Sequence, residues 1–196
     1  MGEYVETLAS SLRGLAQFSG RSSRSRFWPY ALTITVVSMF ALAAVMIPIF
    51  IEIFQKMLAY ADAHPEQATV SRTSTSFSIS IDGAPPEVMS AFGGVAPAIG
   101  LFTVVTVVLL AAAVSRRLHD AGSSALWGLA PLPFLAFSLT MFGKLFGQDV
   151  ASGGWVGLFM LVFASNLLYL LALGNLVFRL CQRSQPGDNR FGPPAV

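Results

Sequence analysis

The sequence is poor in charged residues, in cysteine and in histidine. Only 11% of its 196 residues are charged and 54% are hydrophobic, whereas about a quarter of the residues in a soluble domain are charged. These few charges cannot cover a water-exposed surface, which argues against a soluble protein and favours the bilayer as the solvent. The single cysteine, Cys181, excludes a disulfide within the chain. With only His64 and His119 beside it, the usual four-ligand zinc site cannot be assembled.

The small net charge of +2 argues against nucleic acid as a partner, because nucleic-acid sites are strongly basic. No glycine-rich phosphate loop, metal-ligand spacing or nucleophile motif is present in the sequence, so we expect no metal and no cofactor. The sequence therefore offers no catalytic residue that its motifs identify.

Long runs without any ionisable side chain dominate the rest of the chain. A helix needs about 20 apolar residues to cross the hydrocarbon of a bilayer. The runs predict an all-α membrane protein in one domain, residues 1–196, with four transmembrane helices near 28–51, 95–115, 124–142 and 155–178. The third run contains Pro131 and Pro133, which remove two backbone donors and should kink or shorten the helix. A re-entrant hairpin is the alternative for this run.

The positions of the basic residues predict the orientation. Nine of the twelve lysines and arginines lie before the first run, between the second and third, or after the fourth. Because basic residues are retained in the cytoplasm, both termini and the 116–123 loop are predicted to be cytoplasmic. The 52–94 loop is then external.

Two smaller elements are predicted outside the membrane. Val5, Leu8, Leu12 and Leu15 recur at helical spacing, which favours a short amphipathic helix within residues 3–18, lying on the inner leaflet; a frayed tail is the alternative. In the external loop, residues 76–81 alternate polar and apolar side chains and are followed by Asp82-Gly83. This pattern is typical of a strand that ends in a turn, and predicts either a small β-hairpin or a loop without fixed structure.

Three motifs rich in arginine and glycine lie on the predicted cytoplasmic side. They read FSGRSSRSRFW from Phe18, RRLHDAGSS from Arg116 and PGDNRFGPP from Pro186. In these motifs and their order, residues 18–192 resemble the DUF805 family of bacterial inner-membrane proteins. The resemblance implies a multi-pass inner-membrane protein with four helices. It implies no biochemical activity, because none is established for that family.

A structural role would explain most of the second motif. Arg116 and Arg117 would close the second helix, where the helix dipole favours cations, and Gly122 would adopt the left-handed conformation that ends it. Asp120 is predicted to pair with an arginine among Arg21, Arg24, Arg26 and Arg190. His119 would bond to backbone or to Asn189. On this interpretation a set of polar contacts joins the three motifs, which we call the latch, with members His119, Asp120, Gly122, Asn189 and Arg190.

A ligand is the sharper alternative. Clusters of four to eight basic residues beside spanning helices are typical of anionic-lipid sites, and guanidinium groups suit phosphate. Arg21, Arg24, Arg116 and Arg117 are therefore candidates to hold a lipid head group or another phosphate. The ordinary bias of arginine toward the cytoplasmic side would also place them there.

Three classes of function remain open. The first is a binding or interaction protein, whose partners would be membrane lipids, a second copy of the chain or another membrane protein. The second is a small transporter or oligomeric channel, which is disfavoured because no ionisable residue lies inside the four apolar runs. The third is a membrane enzyme acting on lipid phosphate, with His119 as the acid–base group beside the arginines.

Overall fold

The computed structural model describes residues 2–83, 85–145 and 154–194, and the described chain is mostly helical. Two short strands form its only sheet within those residues. The helices and strands, in chain order, are α1 (Gly2–Arg13), α2 (Arg24–Ala63), β1 (Ala68–Arg72), β2 (Phe77–Ile81), α3 (Pro86–Ala91), α4 (Val95–Asp120), α5 (Leu132–Leu145) and α6 (Gly154–Cys181). Short 3-10 helices, Phe92–Gly94 and Ala125–Leu129, precede α4 and α5.

Four helical segments are long and apolar enough to cross a membrane: Arg24–Ala63, Pro86–Asp120, Ala125–Leu145 and Gly154–Cys181. Their apolar side chains face outward rather than into a core; Phe40 is 73% exposed and Leu171 is 71% exposed. A water-soluble monomer rarely exposes apolar surface of this extent, so these faces suit contact with lipid. Four helical segments of this length and composition fit a multi-pass membrane protein, which the sequence predicts.

Helix α2 is longer than the sequence predicted. It continues from Arg24 to Ala63, so residues 52–63, predicted to begin the external loop, are helical. A helix of this length extends about 60 Å, roughly twice the hydrocarbon thickness, and must project beyond it. Two features keep the projecting part helical: strong helix formers without glycine or proline before Pro65, and the Glu52–Lys56 ion pair of 3.0 Å, one turn apart.

The predicted β-hairpin is present and packs on this projecting part of α2. Strand β2 pairs antiparallel with β1, with Val70 opposite Ile79. The hairpin turn lies between Thr73 and Ser76, whose backbone groups bond at 2.8 Å, while Asp82-Gly83 turns the chain after β2. Phe77 contacts Phe54 of α2, with ring centroids 5.6 Å apart. This contact gives the hairpin the apolar support that two strands alone lack.

The third apolar segment is shortened by its prolines. Instead of one helix over 124–142, residues Ala125–Leu129 form a 3-10 helix and α5 begins only at Leu132. Pro131 lies at the break, where its missing N–H costs no helical hydrogen bond. Helix α5 alone extends about 21 Å, so the 3-10 turn is needed to lengthen the segment. The predicted shortening is confirmed; residues 146–153, which follow it, lie outside the described residues.

Helices α4 and α6 both continue past their predicted ends, residues 115 and 178, into the basic motifs. Helix α2 packs mainly on α4, and α5 on α6. The buried apolar cluster lies where α2, α4 and α6 meet, at the end that carries the three motifs; we call it the basic end. Its buried members are Phe27, Tyr30, Ala31, Ala113, Leu118, Leu176 and Leu180. This core fixes the helix ends from which the arginines project.

Helix α1 ends at Arg13, so Leu15 lies outside it, and the predicted amphipathic helix stays a prediction. It packs on α2: Leu8 contacts the buried cluster, and the Tyr4 hydroxyl is hydrogen-bonded to that of Thr33. Val5 and Leu12 remain exposed. Its position on the inner leaflet stays a prediction.

Candidate functional site

Asp120, the last residue of α4, is the centre of a buried polar cluster at the basic end. Its Oδ1 accepts a hydrogen bond from Arg21 Nε at 3.1 Å. Its Oδ2 accepts from Arg117 and from the Ser184 hydroxyl. The side chains of Asp120 and Arg21 are each 1% exposed and that of Arg117 is fully buried. The predicted ion pair between Asp120 and an arginine of the first motif is therefore confirmed, and its partner is Arg21.

Arg117 joins α4 to the end of α6. Its Nε donates to the carbonyl of Leu180 at 2.9 Å, and a terminal nitrogen donates to the carbonyl of Gln182. The last carbonyls of a helix have no intrahelical partner and carry the negative end of the helix dipole. Arg117 satisfies two of these carbonyls, and the helix end helps to stabilise a cluster with two guanidiniums and one carboxylate.

Arg21 holds the C-terminal tail, residues 182–194, against the cluster. One terminal nitrogen donates to the carbonyl of Gly187 at 2.7 Å and to that of Gly192 at 3.4 Å. The other donates to the carbonyl of Gln185. With Nε on Asp120, all three nitrogens of this guanidinium are directed at protein acceptors. The planar shape of arginine permits this, since its donors point in fixed, divergent directions.

His119 and Asn189 connect the tail to the other two motifs. Nδ1 of His119 donates to the carbonyl of Gly20 at 3.2 Å, and Asn189 Nδ2 donates to the carbonyl of His119 at 3.0 Å. The ring of Phe191 stacks on the imidazole, with centroids 3.8 Å apart and planes 9° from parallel. All three motifs thus meet around residues 119 and 120.

Gly122 lets the tail approach the end of α4. Its φ of +73° is the left-handed conformation that sequence analysis predicted. A Cβ atom at this position would lie 2.2 Å from the side-chain nitrogen of Gln185. The backbone of Gln185 in turn donates to the carbonyl of Asp120 at 2.9 Å. Glycine is therefore favoured here by its conformation, and the missing Cβ leaves room for the Gln185 side chain.

The side chain of Arg116 points away from the cluster around Asp120, toward the segment that follows α1. One of its terminal nitrogens donates to the carbonyls of Gly14 and Gln17, at 3.1 and 3.2 Å. The neighbouring Ser115 hydroxyl donates to the carbonyl of Phe18 at 3.1 Å. Nε and the second terminal nitrogen of Arg116 have no acceptor among the residues that the structure describes. Arg116 anchors the 14–18 segment and still has donors to offer.

The remaining arginines of the motifs do not join the cluster. Arg24 and Arg26, in the first turn of α2, are exposed and have no hydrogen bond or ion pair within the described chain. Arg190, predicted for the latch, is exposed; its guanidinium lies 4.6 Å from the ring centre of Phe191. A head-group role for Arg21 and Arg117 stays a prediction, and their contacts favour the structural role instead.

Sequence reasoning missed the tail residues whose main chain completes the cluster. Gln182, Gln185 and Gly187 contribute carbonyls, which every residue has and no pattern distinguishes. It also missed Arg179 of α6, whose guanidinium covers the ring of Trp127 at 3.7 Å. The position of Arg179 just after the predicted fourth helix was visible in the sequence. Nothing in the sequence indicates that it contacts Trp127.

The comparison with known proteins agrees with the motifs. The family model described as "Protein of unknown function (DUF805)" matches residues 15–193, most of the chain. This chain belongs to the DUF805 family. No curated protein and no solved structure is similar enough to the chain to count as a match. The match includes every side chain of the cluster around Asp120 and leaves α1 outside. The cluster is therefore part of the DUF805 unit, whose function the family description leaves open.

Proposed function

We propose that this DUF805 protein is a multi-pass protein of the bacterial inner membrane, with both termini cytoplasmic, and that its basic end binds the head group of an anionic phospholipid. The binding groups are Arg24, Arg26 and the unused donors of Arg116. The cluster around Asp120 is the scaffold that holds them at the interface.

The observation that carries this proposal is the division of the arginines into two sets. Arg21 and Arg117 are buried on protein acceptors, which favours a structural role for them. Arg24 and Arg26 are exposed at the start of α2, without a protein partner in the described chain. Cations that the protein leaves unpaired beside a spanning helix attract anionic lipid by about 1 kcal/mol each.

Replacing both exposed arginines tests this function. We expect Arg24→Gln/Arg26→Gln to lose about 2 kcal/mol of the stabilisation given by phosphatidylglycerol, or about 6 °C in melting temperature. Stability in phosphatidylcholine should change little, because neither side chain makes a hydrogen bond or ion pair in the described chain. The measurement is a thermal melt of wild type and variant in both lipids.

Lys56→Gln is the matched control, because Lys56 is paired with Glu52 at 3.0 Å on the part of α2 that projects beyond the hydrocarbon. It should leave the difference between the two lipids as in wild type. If wild type melts at the same temperature in both lipids, the basic end does not select an anionic head group and the proposal is wrong.

The orientation has its own test. Reporter fusions after residue 20, within 117–123 and after residue 185 should report the cytoplasm, and fusions within 62–85 should report the outside. The physical reason is the nine-to-three division of lysine and arginine. A cytoplasmic signal from a fusion at residue 75, in the hairpin turn, would contradict the proposed orientation.

A further inference from the structure

An apolar cavity of about 530 Å³ lies between the two helix pairs, next to the basic end. Side chains of α2, α4, α5 and α6 and of the 3-10 helix Ala125–Leu129 line it, with Phe18 at its edge. Its volume is in the range of ligand-binding cavities. The latch does not use this space, and no motif in the sequence indicates it.

Apart from the hydroxyl of Tyr169, the lining presents almost no free polar group to the cavity. The hydroxyl of Thr35 donates to Ala31 and that of Thr106 to Phe102, one turn earlier in their own helices. The Ser115 hydroxyl is bonded to the carbonyl of Phe18. An apolar cavity left empty forfeits the dispersion contacts of its walls, and water finds too few partners there. In a bilayer, a lipid acyl chain is the apolar group available to occupy the cavity.

The depth of the cavity corresponds to one leaflet. Along α4 its lining runs from Thr106 to Ser115, about 14 Å of helix. Half of the hydrocarbon core is about 15 Å thick. With the basic end at the interface, as proposed, the deep end would lie near the middle of the bilayer.

A cation stands at the interfacial end. Arg116 is not itself a lining residue, but it follows Ser115 along α4 and donates to the carbonyl of Gln17 at 3.2 Å. Ser115 and Phe18, the chain neighbours of these two residues, both line the cavity. Nε and the second terminal nitrogen of Arg116 are unused within the described chain. The apolar cavity is complementary to an acyl chain, and the free donors of Arg116 are complementary to a phosphate. A phospholipid of that leaflet could place its chain in the cavity and its phosphate at Arg116.

We infer that this cavity binds one acyl chain of an anionic phospholipid whose phosphate is held at Arg116. The inference rests on the proposed function, because it assigns the tail of the same lipid. It adds a defined site and a stoichiometry of one lipid for each chain, which a charged surface alone would not give.

Filling the cavity tests the inference. The full-length protein is reconstituted into vesicles of equal phosphatidylglycerol and phosphatidylcholine, extracted in mild detergent, washed, and analysed for retained lipid by mass spectrometry. Wild type should retain one phosphatidylglycerol per chain. Ala111→Phe places a ring inside the cavity and should reduce retention at least fivefold. Ala125→Phe fills it from the opposite wall and provides a second variant if the first does not fold.

Val108→Phe is the matched control, since Val108 lies on α4 but is 59% exposed on the lipid-facing side. It should retain the lipid. Tyr169→Phe should also retain it: Tyr169 lines the cavity, its hydroxyl has no partner in the described chain, and an acyl chain has no use for that hydroxyl. If Tyr169→Phe loses the bound molecule, the occupant is a ligand with a polar end and the inference is overturned.

The two proposals can fail separately. If both filled variants fold and keep one phosphatidylglycerol, the cavity does not hold the chain, although head-group selection stands. If wild type retains phosphatidylcholine and phosphatidylglycerol equally and Ala111→Phe loses both, the chain site stands and anionic selection fails.

Discussion

Asp120→Asn should lower the free energy of unfolding by about 3–5 kcal/mol, the cost of leaving buried charges without their partner. Asn keeps the shape and one acceptor oxygen but removes the negative charge. The guanidiniums of Arg21 and Arg117, 1% and 0% exposed, would then face each other without a carboxylate between them. A thermal melt in detergent should show a loss of about 10 °C or more.

Asp188→Asn is the control for this change. Asp188 lies in the same tail, is exposed, and has no ion pair in the described part of the chain, so its replacement should alter stability by less than about 0.5 kcal/mol. The loss at Asp120 should be equal in phosphatidylcholine and in phosphatidylglycerol. If Asp120→Asn melts within about 2 °C of wild type, its loss of stability is less than about 1 kcal/mol. The cluster would then not stabilise the fold.

The positions of the spans were predictable because a bilayer imposes one dominant requirement, a long apolar run. The residues at which the helices end were less predictable. Residues 52–63 of α2 carry charges, and sequence analysis ended the helix at them. Their helical structure depends on propensity, on the Glu52–Lys56 pair and on packing of the hairpin through Phe77. The last of these is a tertiary contact that the helix sequence does not contain.

The sequence predicted that the three motifs meet at the candidate site. It did not predict which arginines are buried in the cluster and which are exposed. Arg21 and Arg24 are three residues apart in the same motif, yet one is buried and the other exposed. The difference arises because the tail folds back and presents the carbonyls of Gln185, Gly187 and Gly192 to Arg21. Backbone acceptors of a distant segment leave no mark in the sequence. That Asp120 pairs with an arginine was predictable from charge alone; the geometry that buries the pair was not.

Arg21→Ala should release the C-terminal tail from the bundle. Among the residues that the structure describes, only the Arg21 side chain bonds both Asp120 and three tail carbonyls. Hydrogen bonds to a charged group contribute about 1.5–3 kcal/mol each, and their losses are not additive. We expect tail opening to become easier by about 3 kcal/mol. Trypsin cleavage after Arg183 and Arg190, both exposed in the tail, should then accelerate about 100-fold, because cleavage follows the open population.

The variant Arg21→Lys distinguishes the effect of the positive charge from the effect of the guanidinium shape. An ammonium group can still pair with Asp120, but its compact shape cannot reach carbonyls that lie in divergent directions. Cleavage in this variant should therefore be intermediate. Arg24→Ala, which removes an exposed arginine three residues away, should leave the rate unchanged. If Arg21→Ala is cleaved in the tail at the wild-type rate, the tail is held by other contacts, such as those of Arg117 and Asn189, and Arg21 would be free for the head-group role that the sequence first indicated.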